Sequence, residues 1–418
     1  MIEKRAKVDE AREIRAPTGP AAAVRLIASR NFGPYFVGNA ASASGTWFQN
    51  LAASLLVYRQ THSPFLLGVL NFCNFIPILV LAPWAGSMAD RFDRRRVVVV
   101  TQLGSTVLSA LLAALAWSGH APVSVVVVCA LGLGVGSAFG APASQALISD
   151  LVPRSELQSA VALNSMTYNL ARAVGPALAA LSVRKLGIPA SFAINSASYL
   201  LLVVGVLVVQ TEPRRRATRA ETRLRESLRL VLEDPRQLAL LLVVAAVGFA
   251  SDPINTEAPA FAHVFGRPDT DAGYLIGAFG GGAVAAAFLL AGRVAGSRRR
   301  MQATLLLMGG GVVGFSLAPW LGLGYVFLAI AGFGYLASNT SATSRLQLEV
   351  AEHQRGRIMA LWSVAFLGLR PVASLADGAI AGAFGVRTAG VVLATPVLLG
   401  AAGIYFLQRH HRSLTKGA

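Results

Sequence analysis

Charge is scarce in this chain. Only 14% of its 418 residues are charged, against about one quarter in ordinary soluble domains. Cysteine is scarcer still. Cys73 and Cys129 are the two present, both inside apolar stretches, which excludes a disulfide framework or a cysteine-based metal site and leaves them as small packing residues. Acidic residues are outnumbered, 20 Asp and Glu against 37 Lys and Arg, for a net charge of +17. That surplus alone fits a nucleic-acid binder, but its distribution does not, because long stretches carry no ionisable side chain. No polar segment is longer than the first 30 residues, which leaves no room for a catalytic domain. Those 30 residues lack the apolar core of a cleaved signal peptide. Glycine tracts at 132–136, 280–282 and 309–311 lie in apolar runs, and none is followed by the Lys-Ser/Thr of a phosphate loop. Neither an enzyme nor a bound cofactor or metal is expected.

What the sequence has instead is long uncharged runs. A hydrocarbon core ~30 Å thick needs about 20 apolar residues per helix. Eight windows free of Lys, Arg, Asp, Glu and His reach that length: 31–58, 64–89, 97–119, 121–149, 186–211, 272–292, 301–344 and 388–408. With Pro319 near its middle, 301–344 reads as two helices and a turn, giving nine clean spans. Three more are interrupted by charge: 155–183 by Arg172, 237–265 by Asp252, Glu257 and His263, and 357–386 by Arg370 and Asp377. The prediction is an all-α membrane protein of twelve transmembrane helices. A charge within a span costs ~2.5–3.5 kcal/mol on insertion scales, so each interruption is a functional candidate.

Alternating the loops from a cytoplasmic start places 30 of the 37 bases on one side and 5 on the other. This positive-inside asymmetry predicts cytoplasmic termini. The organisation expected is a tail over 1–30, six spans over 31–210, a basic linker over 211–236, six spans over 237–408 and a tail over 409–418. The linker, with Arg214, Arg215, Arg216 and Arg219, reads either as a solvated connection or as a helix lying on an anionic inner leaflet.

The second half repeats the first at an offset of 198: Gly134, Gly136, Arg172, Val174 and Gly187 fall on Gly332, Gly334, Arg370, Val372 and Gly385. Two six-helix pseudo-symmetric bundles in the same orientation, with a central site between them, are a recurring transporter design.

Between spans 2 and 3 stands Gly86-Ser-Met-Ala-Asp90-Arg91-Phe-Asp93-Arg94-Arg95-Arg96. This resembles the gating motif of the major facilitator superfamily, with Asp93 where the family has its inner glycine. The resemblance covers roughly residues 31–410 and implies that Gly86, Asp90, Arg91, Arg94 and Arg95 form a cytoplasmic gate lock. Gly175-Pro176 in span 5 looks like the kink motif of the superfamily's antiporters, although its trailing glycine pair is Ala179-Ala180 here. Segments 160–165 and 356–361 are similar to the bacterial branch of siderophore exporters and drug-efflux proteins. The resemblance implies a monomeric secondary transporter of the bacterial inner (cytoplasmic) membrane. It would export a small-molecule substrate, a drug or secondary metabolite, in exchange for protons, with the bilayer and no nucleic acid as its surroundings. Alternatives are a dedicated siderophore or self-resistance exporter, an importer, and a non-transporting membrane sensor.

Candidate cavity residues come from helical spacing. Asn39, Thr46 and Asn50 in span 1 lie within about 40° of one another on a helix, with Ser42 beside them. Asn164, Tyr168 and Arg172 step by four in span 5. Span 2 offers Asn71 and Asn74, and span 11 offers Trp362, Phe366, Arg370 and Asp377. Such polar stripes face either a central cavity or neighbouring helices that they hold by hydrogen bonds. The proton-coupling candidates are Asp252, Glu257 and Asp377, the last of which could instead neutralise Arg370 or Arg172. Pro253 and Pro259 flank Glu257 and predict a discontinuous helix there.

Overall fold

The computed structural model describes residues 20–153, 155–210, 231, 232, 234–290, 298–348, 350 and 355–416. Most of the predicted linker and of the N-terminal tail, residues 417 and 418, and the side chains of Gly86 and Asp90 lie outside the described residues. Among those described there are helices and no strand. They are α1 (Pro20–Ile27), α2 (Phe32–Thr61), α3 (Pro64–Arg91), α4 (Arg94–Trp117), α5 (Val123–Leu151), α6 (Leu157–Leu186) and α7 (Ile188–Val208). After the linker come α8 (Pro235–Thr256), α9 (Ala258–Val264), α10 (Ala272–Leu289), α11 (Arg298–Leu317), α12 (Leu321–Leu348), α13 (Arg355–Ser363), α14 (Arg370–Phe384) and α15 (Val386–Lys416). A π-helical stretch, Val364–Gly368, joins α13 to α14.

Nine helices among the described residues are long and apolar enough to cross a membrane. The remaining long ones, α2, α6 and α11, have 30, 30 and 20 residues. They are more polar: α2 bears the Asn39–Asn50 stripe, α6 bears Arg172, and α11 opens on three arginines. The window 301–344 does divide, α11 ending at Leu317 and α12 starting at Leu321.

Helix ends follow the local sequence. Asp93, the departure from the family's glycine, has a role of its own: its carboxylate caps α4 by accepting from the Arg95 N–H at 2.9 Å, which a glycine cannot do. Asp234 caps α8 in the same way at 2.9 Å. The repeat reappears in the backbone. Gly187 and Gly385, the equivalent residues that close α6 and α14, have φ of 88° and 87°, where a side chain would be strained.

Helices α2–α7 pack chiefly on one another, with α2 against α7 and α6, α3 against α5, and α4 against α5 and α7. Helices α8–α15 do likewise, with α10 and α11 against α12 and α15 against α11 and α8. Lipid offers no hydrophobic drive to bring helices together, so close packing depends on small residues. A Cβ at Gly134 would collide with the Asn74 carbonyl oxygen of α3, and one at the equivalent Gly332 with that of Phe279 on α10. The repeat's glycines thus make equivalent contacts in the two sets.

Between the sets, α3 lies along α14 and α6 along α10. Both seams are made of small residues. A Cβ at Gly68 would approach the Ser374 carbonyl to 2.5 Å and Gly378 Cα to 2.9 Å. Gly273, Gly277 and Gly280 of α10 meet Pro176, Ala177 and Ala173 of α6 in the same manner. These contacts lie toward the end of the molecule that carries the α2–α3 turn, hereafter the Thr61 end.

Candidate functional site

The predicted break falls at Glu257, between α8 and α9. Its backbone (φ −98°, ψ 10°) leaves the helical course, although its N–H still donates to the Pro253 carbonyl at 3.0 Å. Glu257 is wholly buried, and neither carboxylate oxygen has a hydrogen-bond partner among the described residues. Asp377 on α14 is equally buried, and its two oxygens are equally bare. Asp252, one turn before Glu257, is satisfied: Thr256 Oγ1 and Ser374 Oγ each donate to it at 3.0 Å. The three acids lie within electrostatic reach of one another, and Asp252 also lies within reach of Arg370. Asp377 pairs with neither Arg370 nor Arg172 among the described residues. The acid that faces Arg370 is Asp252.

Arg172 and Arg370 meet in one cavity of about 50 Å³, lined also by Trp47, Gly248, Ser251, Asn255, Phe279, Tyr335 and Phe366. Each reaches across the seam. Arg172 of α6 donates through Nη1 to the Tyr335 hydroxyl of α12 at 2.6 Å. Arg370 of α14 lies over the Phe75 ring of α3, 4.3 Å from its centroid. Trp362 stacks on Phe366 at 5.1 Å, which carries the α13 aromatic face to the cavity wall.

The remaining stripe residues divide. Asn39 Nδ2 donates to Asn164 Oδ1 at 2.7 Å, both buried, so this pair ties α2 to α6. Tyr168, on the same face of α6, is 45% exposed. Thr46 Oγ1 donates back to the Ser42 carbonyl at 2.9 Å. Asn50, Asn71 and Asn74 line a second cavity of about 20 Å³ with Gln49, Ser54 and Leu112, apart from the arginines. Residues that share a face of one helix need not meet the same cavity as the polar face of the next.

Sequence reading missed Tyr335, Ser374 and Trp47, since a lone tyrosine, serine or tryptophan in an apolar span carries no spacing signal. It also missed the Gln49 network, in which Ser109 Oγ donates to Gln49 Oε1 at 2.9 Å and Asn195 Nδ2 at 3.2 Å.

In the segment that resembles a gating motif, Arg94 Nη1 pairs with Asp150 on α5 at 2.9 Å and donates to the Ala146 carbonyl at 3.2 Å. Arg95 donates to the Leu207 carbonyl at the end of α7, where the helix dipole favours a cation. Arg91 is exposed. Gly175 and Pro176 are buried in α6, with Gly175 against the Trp47 side chain. At the Thr61 end, Arg59 of α2 grips Asp269 in a bidentate pair, Nε to Oδ2 at 2.5 Å and Nη2 to Oδ1 at 2.9 Å. His263 is exposed there, its ring 6.4 Å from that of Tyr58.

Comparison with known proteins places these features. Residues 22–414 match the MFS family described as transmembrane secretion effector. A stretch of 161 residues is 32% identical to the staphyloferrin A transporter of Staphylococcus aureus, covering 38% of this chain and 41% of that protein. A stretch of 231 residues is 24% identical to macrolide efflux protein A of Streptococcus pyogenes, covering 54% and 56%. In both cases the match spans about half of the relative or less. The multidrug efflux pump Tap of Mycolicibacterium fortuitum matches over 88% of this chain and 93% of its own at 24% identity. Among solved structures, a bacterial homolog to the human lysosomal transporter Spinster superposes with a TM-score of 0.71 at 15% identity, over 94% of this chain and 97% of that one. A D-xylose-proton symporter gives 0.71 and 15%, over 89% and 95%. At that identity the likeness is one of fold.

Proposed function

This chain belongs to the transmembrane secretion effector family of major facilitator transporters, and from that premise we propose that it exports a small organic molecule across a bacterial cytoplasmic membrane in exchange for protons. The twelve spans form two six-helix bundles, 31–210 and 237–408, joined by the basic linker. The split of 30 bases to 5 puts both termini and the Arg94 end in the cytoplasm. The Thr61 end is then extracellular, and its close seams and the Arg59–Asp269 pair support reading this as a state closed to the outside. Alternating access follows when the bundles rock about the α3–α14 and α6–α10 seams, opening that end as Asp90 and its neighbouring arginines lock the other.

The observation that carries the reading is the set of buried carboxyls at a broken helix, with Asp252 set between the bare acids Glu257 and Asp377 and the cavity arginine Arg370. A carboxyl can take up a proton on one side and give it off on the other. One that also faces a cargo-binding arginine couples that exchange to cargo. A dedicated siderophore exporter is a second reading, supported by the staphyloferrin A transporter match and by the two arginines in the cavity.

Comparing metabolites and macrolides retained by cells with and without the gene identifies the cargo. In energised inside-out vesicles, Asp252→Asn and Glu257→Gln are each expected to lower proton-driven efflux at least about tenfold, the effect of removing a general acid–base group. Full efflux in both variants rules out proton coupling through these acids.

A further inference from the structure

We propose that the cavity between the two sets of helices binds an anionic group of the cargo, a carboxylate or its equivalent, between the guanidinium groups of Arg172 and Arg370. The inference deepens the proposed export function, on which it rests for the direction of transport alone.

Two cations share a cavity of about 50 Å³. The arginines interact as like charges, an arrangement that costs energy inside a membrane unless something compensates it. The protein compensates in part, since Asp252 attracts Arg370. Arg172 has a neutral partner, the Tyr335 hydroxyl. Arg370 makes no ion pair or hydrogen bond with the described residues and lies over a neutral ring, that of Phe75. Asp252 is one negative charge against two positive ones, and its oxygens accept from Thr256 and Ser374 and make no ion pair with either arginine among the described residues. The cavity therefore holds two guanidinium groups with donors to spare, and an anion is the ligand that relieves their repulsion and takes those donors.

The geometry also says how the group is held. Arg172 and Arg370 occupy equivalent places in the repeat, 198 residues apart, one on each side of the seam. Each side chain crosses toward the opposite set of helices, Arg172 to Tyr335 and Arg370 to Phe75. An anion between them is bound by both halves at once, in the place where alternating access requires a cargo to be felt by both. The cavity has room for a functional group and not for a large molecule. Trp47, Phe279 and Phe366 in its wall fit a planar or apolar portion next to the charge.

The test uses three probes of one shape and different charge, benzoate, benzamide and benzylamine, added to the purified full-length protein at matched ionic strength. Ligand that binds the folded state raises its melting temperature in a saturable way. Benzoate is expected to do so, with half-saturation at least about tenfold lower than for benzamide or benzylamine, the factor a charge-assisted hydrogen bond supplies. Arg172→Gln and Arg370→Gln should each weaken the benzoate response about tenfold, while Arg172→Lys and Arg370→Lys, which keep the charge, should retain more of it. The lysine variants also separate loss of charge from loss of folding. Equal responses to the three probes, no response to benzoate, or a benzoate response unchanged in both glutamine variants overturns the anion site. A protein that binds benzoate through both arginines yet drives no efflux overturns the export reading and leaves the site standing. Proton-driven efflux of a cationic compound without any benzoate response does the reverse.

Discussion

The two sets of helices share a frame and differ in what they bury. In α2–α7, Arg172 apart, the deep polar groups are neutral and mostly paired: Asn39 bonds Asn164, and Gln49 bonds both Ser109 and Asn195. In α8–α15 they include three acids, and two of the three, Glu257 and Asp377, hold oxygens with no partner among the described residues. The frame itself is duplicated, down to the positive φ of Gly187 and Gly385 and the close approach at Gly134 and Gly332. A satisfied amide network holds helices together, whereas an unsatisfied buried carboxyl is costly to keep for structure alone. The first set is thus read as the stable partner and the second as the part that changes state with protons.

The largest expected effect breaks that contrast directly. Combining Glu257→Gln with Asp377→Asn removes both bare acids at nearly constant shape. Proton-driven efflux should fall at least about tenfold, while the melting temperature holds or rises, because neither acid has a hydrogen bond to lose among the described residues. A fall in melting temperature with efflux intact would reverse the assignment.

Next in size is a wedge in the α3–α14 seam. A side chain at Gly68 meets the Ser374 carbonyl and Gly378 backbone, and overpacking of this kind costs about 1–3 kcal/mol. If that strain is relieved by separating the Thr61 ends, Gly68→Leu shifts the balance of states by about tenfold or more. Spin labels at Thr61 and Arg267 should then report a longer distance in the variant than in the parent. An unchanged distance would mean the seam does not move.

How much of this was legible beforehand follows from what each feature needs. Spans could be read because lipid tolerates no stray charge, and the repeat because glycines and arginines recur at one offset. The break at Glu257 was visible in the proline spacing. The shared cavity of Arg172 and Arg370 was only half visible: their equivalence lay in the sequence, but their meeting required the seam to be folded. Tyr335 and Ser374 were invisible, since their importance comes entirely from the partner each touches. Asn50, Asn71 and Asn74 are the opposite case: helical spacing gives their shared faces, and only the folded chain gives the cavity onto which those faces open.

A smaller effect sharpens the other side of the comparison. Asn195→Ala removes the bond to Gln49 and a weaker one to Ser109 at 3.3 Å. Interhelical hydrogen bonds in membrane proteins average about 0.6 kcal/mol, with about 1.7 kcal/mol at most. The variant should therefore melt a few degrees lower, measured by thermal unfolding in detergent, and keep its efflux. Loss of proton-driven efflux at full stability would place the response to protons in the first set as well.

The smallest effect belongs to the Arg59–Asp269 pair, and the reason is solvent. Its geometry is good, a bidentate guanidinium on a carboxylate, but Arg59 is 45% exposed and Asp269 18%. Exposed ion pairs of this kind are worth about 0.2–1 kcal/mol and weaken as salt is raised. Arg59→Gln should thus move the balance toward an open Thr61 end by about fivefold or less, and by still less at 1 M salt than at 0.1 M, measured with the same spin labels. The Gly68 wedge, acting through contact in a dry seam, should show no such salt dependence. If both variants respond equally to salt, the two closures are one electrostatic device, and the small-residue seam is packing that follows it.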